Sequence, residues 1–464
     1  MKIGRTRNQA YLIGLALCLC LLILWGCGSS DPGSDNPPDR VAAPQFNPAA
    51  GSYTAAQAVT ITTFTAGASI RFTTDGSTPS DSFGTIYSAP VEVAQSLTLK
   101  AVAYRTGWTT SAVTSGDYAI NSFGTVSYCY VADTATPSFN IAAFAIDDAT
   151  GGLTKVAGSP FPNGPSPWSL AVHPAGKFLY AGNGDASISA YAINPDSGAL
   201  TAIVGSPFPT YGAPFCSVFD PSGQFLYLTN SPGDVVSAYA INATIGVPSE
   251  IGGSPVATGV RPRGIAIDPS GKFVYVANSG ADSVSAFSRS ATTGVLTAVG
   301  GSPFPVGSVP EAVAIDPAGK FLYAANSESD TISAFSINSE TGGLTAIAGS
   351  PFLTGSEPSW ISIEPLGKFA YVTNENEDSV SGFAVNAATG ALTAVAGSPF
   401  GTGRWPRKAA VDPLGKYLYV VLGDAASVAA YAIDALTGAL TAVAGSPYFT
   451  GSWPDFVVTV RIVK

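Results

Sequence analysis

The tripeptide Gly-Ser-Pro starts at residues 158, 205, 253, 301, 349, 397 and 445, so the chain restates itself every 47 or 48 residues. A period of that length marks stacked or circular repeats, because each unit can bury its apolar faces only against its neighbours. Every unit holds four short runs of strand character; between residues 264 and 301 they read GIAID, FVYVAN, SVSAFSR and LTAVGG. Four strands in a unit of this length make a propeller blade. The ends of the repeat decide between an open array and a ring. The first unit starts at GTVSYCYVAD (124–133) without a first strand, whereas WPDFVVTVRIVK (453–464) supplies a first strand and stops. Together they complete one blade. Seven blades then close into a ring, which leaves no sheet edge to template aggregation; an open solenoid would want polar caps.

Gly, Pro and β-branched residues are abundant and only 11% of residues are charged, which favours short strands and turns over helices. The net charge is −10, and without Lys2, Arg5 and Arg7 of the basic leader it becomes −13. No basic patch is present to neutralise phosphates, so nucleic acid is not an expected partner. The leader continues as a 17-residue apolar run, AYLIGLALCLCLLILWG, followed by Cys27 and a polar stretch. That order reads as a signal peptide over residues 1–26. Leu24-Trp25-Gly26-Cys27 resembles the bacterial lipobox, in which the cysteine is lipidated and becomes the mature N-terminus. The resemblance implies a membrane partner through a lipid anchor at Cys27, and Gly28 in place of Asp implies the outer membrane of a bacterial envelope. An uncleaved membrane anchor is the alternative, since the apolar run is marginally long enough to span.

Residues 27–40 are mostly Ser, Gly, Pro and Asp without apolar periodicity and read as a flexible tether. Residues 41–120 carry the runs AVTITTF, SIRFTTD, PVEVA, LTLKAVAY and SGDYAI, the makings of a small β-sandwich. Within them IRFTTDGSTPS followed by LTLKAVAYRTGWTTSAV resembles the chitobiase/β-hexosaminidase C-terminal domain, also called the GH29D-like sandwich. Asp75-Gly76 suits a tight hairpin turn. Trp108 and Tyr104 are of a type that stacks on sugars, but core or surface packing is the favoured reading of both. The expected fold is therefore all-β: this sandwich, then a seven-bladed propeller over 124–464.

YVTN stands at 371–374, with YVAN, YAAN, YLTN and YAGN at 275, 323, 227 and 180, each after a DPxGKFLY-like run. These motifs resemble the YVTN-repeat and lactonase-type seven-bladed propellers. That resemblance implies the fold, in a family that includes 6-phosphogluconolactonase-like and muconate-cyclising enzymes. One fold hosts many functions, so the site must be argued separately.

The first strand of a blade lines the central channel, and a Pro precedes it on the upper face. The residue after that Pro is Trp168, Phe215, Arg263, Glu311, Ser359, Arg407 and Asp455 around the ring; the residue before it includes Arg261, Glu357, Trp405 and Trp453. The scaffold repeats while these positions diverge. Cations, carboxylates and aromatic walls converge on one mouth, the composition of a small-molecule pocket. A self-neutralising ring of ion pairs is the alternative. Glu311, Arg263 and Arg407 are the catalytic candidates; Arg261, Trp168, Phe215, Trp405, Trp453 and Asp455 are ligand-binding candidates. His173, the one histidine, takes the place of Asp220, Asp268, Asp316, Glu364 and Asp412 in the lower turn and reads as a turn residue. The lactonase resemblance implies His with Arg and a carboxylate above, and no imidazole is there. Glu328, Asp330, Glu375, Glu377 and Asp378 crowd the upper loops and read as solvated rather than as a calcium site. Cys129 and Cys216 fall in the first and third units and are not expected to pair. The expectation is a monomer without cofactor or metal, binding a small anionic ligand, a glycan or an envelope protein. A lactonase-like hydrolase or cycloisomerase is the second reading.

Overall fold

A computed structural model describes residues 40–53, 57–93, 96–120, 124–135 and 139–464. The leader, Cys27 and nearly all of the tether lie outside the described residues. The chain divides into two compact units at residues 122 and 123.

The first unit is a pair of β-sheets. Gln45–Asn47, Gln57–Thr62 and Val91–Val93 form one, and a five-stranded sheet centred on Leu97–Tyr104 forms the other. Their alternating apolar residues meet in a core that includes Val59, Ile61, Val93, Leu99, Ala101 and Tyr118. Trp108 packs against this core, with the Arg105 guanidinium 4.8 Å from its ring. Asp75-Gly76 does not close a tight hairpin. Ser69–Thr73 pairs with Leu97–Tyr104 and with Thr85–Ile86, so the chain leaves the strand through a longer loop. Asp75 accepts from the Ser77 N–H at 3.0 Å there, which makes an Asx bend instead.

The second unit is a ring of seven sheets. In six of them the strands follow in order from the channel outward, as in Pro262–Ile267, Phe273–Asn278, Ser283–Arg289 and Leu296–Ala298. In the first blade the innermost strand is Pro454–Val463, paired antiparallel with Thr125–Asp133. The complementary ends thus close the ring. The YVTN-type motif provides its latches. Each tyrosine, sealed between blades, donates its hydroxyl to a glycine carbonyl of the next blade: Tyr227 to Gly294 at 2.7 Å, Tyr371 to Gly438 at 2.9 Å. Tyr419 donates to Gly151 of the first blade at 3.0 Å, so the same bond crosses the closure. The asparagine holds the third strand, as Asn278 Nδ2 donates to Ser283 and Ser285 Oγ at 3.1 and 2.9 Å.

The fourth strand is broken in two, unlike the continuous run read from the sequence. Leu296–Ala298 pairs with one end of the third strand and Phe304–Pro305 with the other. Gly-Ser-Pro makes the break, and its serine repairs the ladder: Ser302 Oγ accepts from the Ala286 N–H at 2.9 Å. A side-chain oxygen takes the place of a strand carbonyl, which satisfies a donor that burial would leave costly.

Candidate functional site

Every inner strand begins with a register shift just after its Pro, between Pro310 and Ala312 for example. A β-bulge re-aims the side chain at the bulged position. Here it turns the residue after the Pro into the mouth of the channel. In the two blades that carry arginine the irregularity runs one residue further, from Pro262 to Ile265 and from Pro406 to Ala409. The arginine carbonyls are pinned by the preceding blade, with Thr229 Oγ1 donating to Arg263 O at 2.7 Å and Thr373 Oγ1 to Arg407 O at 2.6 Å. Gly264 beside them permits close approach of the next inner strand. A Cβ there would stand 2.6 Å from the Ala312 Cα.

All seven register residues meet at one cavity of about 270 Å³: Trp168, Phe215, Arg263, Glu311, Ser359, Arg407 and Asp455, joined by Thr134, Ser327, Glu375 and Lys408. One side is aromatic, with Trp168 and Phe215 rings 6.2 Å apart and the Arg263 guanidinium 4.0 Å from the Phe215 ring. The rest is ion pairs between neighbouring blades. Arg263 Nη1 lies 3.5 Å from Glu311 Oε2, and Arg407 bonds Asp455 at 2.6 Å and Glu375 at 3.3 Å. Burial works against the Arg407 charge, but Asp455 and Glu375 outweigh it and hold the guanidinium above its ordinary value. Burial raises the Glu375 carboxyl above the usual range in spite of Arg407 and Lys408.

The residues before the Pro behave differently. Ser166, Arg261, Val309, Glu357, Trp405 and Trp453 all have positive φ, between 48° and 60°. Arg261, Trp405 and Trp453 are exposed on the rim and lie outside the central cavity. Trp405 and Trp453 meet at a tilt of 52° with ring centroids 5.6 Å apart. Trp453 walls a side cavity of about 390 Å³ that shares Thr134, Arg407 and Asp455 with the mouth. The upper loops explain the strained backbone. Asp234, Asp282, Asp330 and Asp378 each accept from the N–H of the rim residue of the next blade at 2.8 to 2.9 Å. Asp330 and Asp378 are therefore clamps between blades rather than solvated acids, and Glu375 turns into the mouth.

Two site residues were not among the sequence candidates. Glu375 belongs by sequence to the acidic upper loops; its signal is a position directly after YVTN, where the chain returns to the mouth. Lys408 stands two residues after its Pro, one beyond the register compared around the ring. The other blades carry Ser169, Cys216, Gly264, Ala312, Trp360 and Phe456 there, so a lysine was the signal. Together with Trp360 and Phe456, whose rings meet edge-on at 5.2 Å, it narrows the throat beneath the mouth. Below lies a larger cavity of about 420 Å³, walled by residues such as Val172, Val218, Ile363 and Val411, with no charged side chain. The smaller, charged cavity is the one equipped for chemistry. His173 sits in its lower turn, where Nδ1 accepts from the Ala175 N–H at 3.0 Å and the ring packs edge-on against Phe178 and Phe219. Cys129 and Cys216 are buried free thiols. Among the described residues no cluster of His, Cys, Asp and Glu could hold a metal.

Comparison with known proteins sets the site in context. The family described as "Lactonase, 7-bladed beta-propeller" matches residues 125–219, 218–308, 264–351 and 346–451. The chitobiase/beta-hexosaminidase C-terminal domain matches 48–115. No curated protein matches the chain. Among solved structures, a candidate 6-phosphogluconolactonase from Bacteroides uniformis aligns with a TM-score of 0.63 and 23% identity, over 72% of this chain and 99% of its own. The periplasmic gluconolactonase PpgL of Pseudomonas aeruginosa aligns with a TM-score of 0.62 and 19% identity, over 74% and 100%. Identities this low speak for the fold alone.

Proposed function

The chain belongs to the seven-bladed β-propeller lactonase family, and from that premise we propose that the upper mouth binds a small anionic lactone of the sugar-acid type and hydrolyses it. The observation that carries this reading is the convergence of paired arginines and carboxylates on one cavity of about 270 Å³. Glu375 is suited to proton transfer, because burial moves its carboxyl from the usual range toward neutral pH. It takes a proton from a water that attacks the lactone carbonyl carbon. The ring C–O bond then breaks, the proton passes to the departing oxygen, and a hydroxy acid leaves. Arg407 stabilises the oxyanion formed in between. Glu311, paired with Arg263, shapes the opposite wall.

A second reading is binding without turnover. It draws support from the pairing of Arg263 with Glu311 and from a mouth without imidazole, since the one histidine lies in a lower turn. Sugar and aromatic lactones incubated with the purified protein decide between them. Hydrolysis that falls by at least about a hundredfold in Glu375→Gln, the low end for general acid–base catalysis, supports the enzyme. Ligand binding with no turnover of any lactone supports the binder. We further propose that Cys27 anchors the protein by lipid outside the cytoplasm, in the outer membrane. Cys27→Ala then abolishes lipid labelling and leaves the precursor unprocessed; unchanged labelling contradicts the anchor.

A further inference from the structure

We propose that Lys408, rather than Arg263 or Arg407, receives the anionic group of the ligand. This inference rests on the mouth being a ligand site. Lys408 belongs to the inner strand Pro406–Val411 and is only 6% exposed, yet it lines the mouth. Its Nζ lies 5.6 Å from the ring centroids of both Phe215 and Trp360, which belong to other blades, so the side chain reaches across the throat. Among the described residues no carboxylate comes within 4.0 Å of it, and it donates no hydrogen bond. Two aromatic faces attract an ammonium but accept none of its three N–H bonds conventionally. The ammonium thus meets the cavity without a fixed partner, where an anion could pair with it.

The other two cations of the mouth already face carboxylates, although the Nε of each has no hydrogen-bond partner. Arg263 faces Glu311, and Arg407 faces both Glu375 and Asp455. The wall thus sets two cations against three carboxylates, and Lys408 brings the lining to neutrality from the floor as its one cation without a carboxylate within 4.0 Å. A carboxylate or phosphate on the ligand would supply the oxygens that Lys408 lacks. Such a group enters first, and the reacting ring comes to rest nearer Arg407 and Glu375. Lys408 is thus assigned an anchoring role in binding, separate from proton transfer.

The test titrates inorganic phosphate and gluconate separately into the full chain by calorimetry, which separates the two anion chemistries. Lys408→Met and Lys408→Arg are compared with the wild type, and Arg404→Gln on the exposed rim controls for loss of one positive charge. The expected result is that Lys408→Met weakens the preferred anion by about tenfold or more, the scale of a hydrogen bond to a charged group, and that Lys408→Arg restores much of it. Unchanged affinity in Lys408→Met, or a loss no greater than in Arg404→Gln, overturns the inference. Wild-type crystals soaked in phosphate give an answer even if Lys408→Met fails to fold. An anion within hydrogen-bond distance of Nζ supports the proposal; one held only by the arginines, or none at all, overturns it. Lactone turnover without an anion at Lys408 leaves the proposed activity standing and removes this inference. An anion at Lys408 without turnover does the reverse.

Discussion

The two ends of the inner strands differ in what they repeat. At the lower end Asp220, Asp268, Asp316 and Asp412 each accept from the N–H of the aromatic residue five positions on, at 2.6 to 2.7 Å. Each turn needs an acceptor in that position, so the residue hardly varies. At the upper end the bulged position holds Trp, Phe, Arg, Glu, Ser, Arg and Asp, although the backbone around it is nearly the same in every blade. Backbone hydrogen bonding cannot account for that variety. The lower end records what the blade needs to fold, and the upper end is free of that demand, in keeping with the proposed ligand site.

The largest expected effect comes from removing residues 453–464, which takes Asp455 from the mouth and the inner strand from the first blade. Phe456, Val457, Val460 and Ile462 are all buried. At roughly 1.5 to 3 kcal/mol each their loss rivals the roughly 5 to 15 kcal/mol that stabilises a typical domain. The truncated protein should lose its cooperative melting transition; melting like the full chain would refute ring closure. Next is Glu375→Gln, expected to cut turnover by about a hundredfold or more with its melting temperature held or slightly raised. Its raised pKa gives the sign. The carboxylate is the active base, so turnover climbs as pH rises through the Glu375 pKa, above the usual carboxylate range, while the same deprotonation costs the folded state stability. A rate profile flat across that window would remove Glu375 as the base.

At the lower end Asp268→Ala strands the Phe273 N–H and is expected to cost about 1 to 3 kcal/mol while leaving kcat/KM as it was. Equilibrium denaturation and a lactone assay on the same sample check both halves. The smallest effect concerns His173. Burial holds its imidazole below its ordinary pKa, so the unfolded chain takes the proton more readily. Its contribution to stability is present above the ordinary histidine pKa and is lost as pH falls from there through the lower pKa of the folded state. His173→Gln should flatten that part of the melting-temperature profile; an identical profile in both proteins would contradict it.

The ring and its closure were legible because periodicity and complementary ends are properties of the chain itself. The seven mouth positions were legible for the same reason, as one register read around the ring. Glu375 was not, because loop composition does not show which acid a turn aims inward. Nor was Lys408, because the bulge brings a second residue of the strand toward the mouth. Arg261, Trp405 and Trp453 flank the bulge at positive φ, and that backbone sends them to the rim. The break at Gly-Ser-Pro was hidden because a serine hydroxyl, rather than a strand carbonyl, completes the ladder.

The most direct measurement compares the two ends in one experiment: kcat/KM for a sugar lactone, together with the free energy of unfolding, in Glu375→Gln and Asp268→Ala. The account predicts that the upper change removes turnover and spares stability, while the lower change weakens the fold and spares turnover in the folded fraction. Turnover that survives Glu375→Gln but vanishes in folded Asp268→Ala would contradict it.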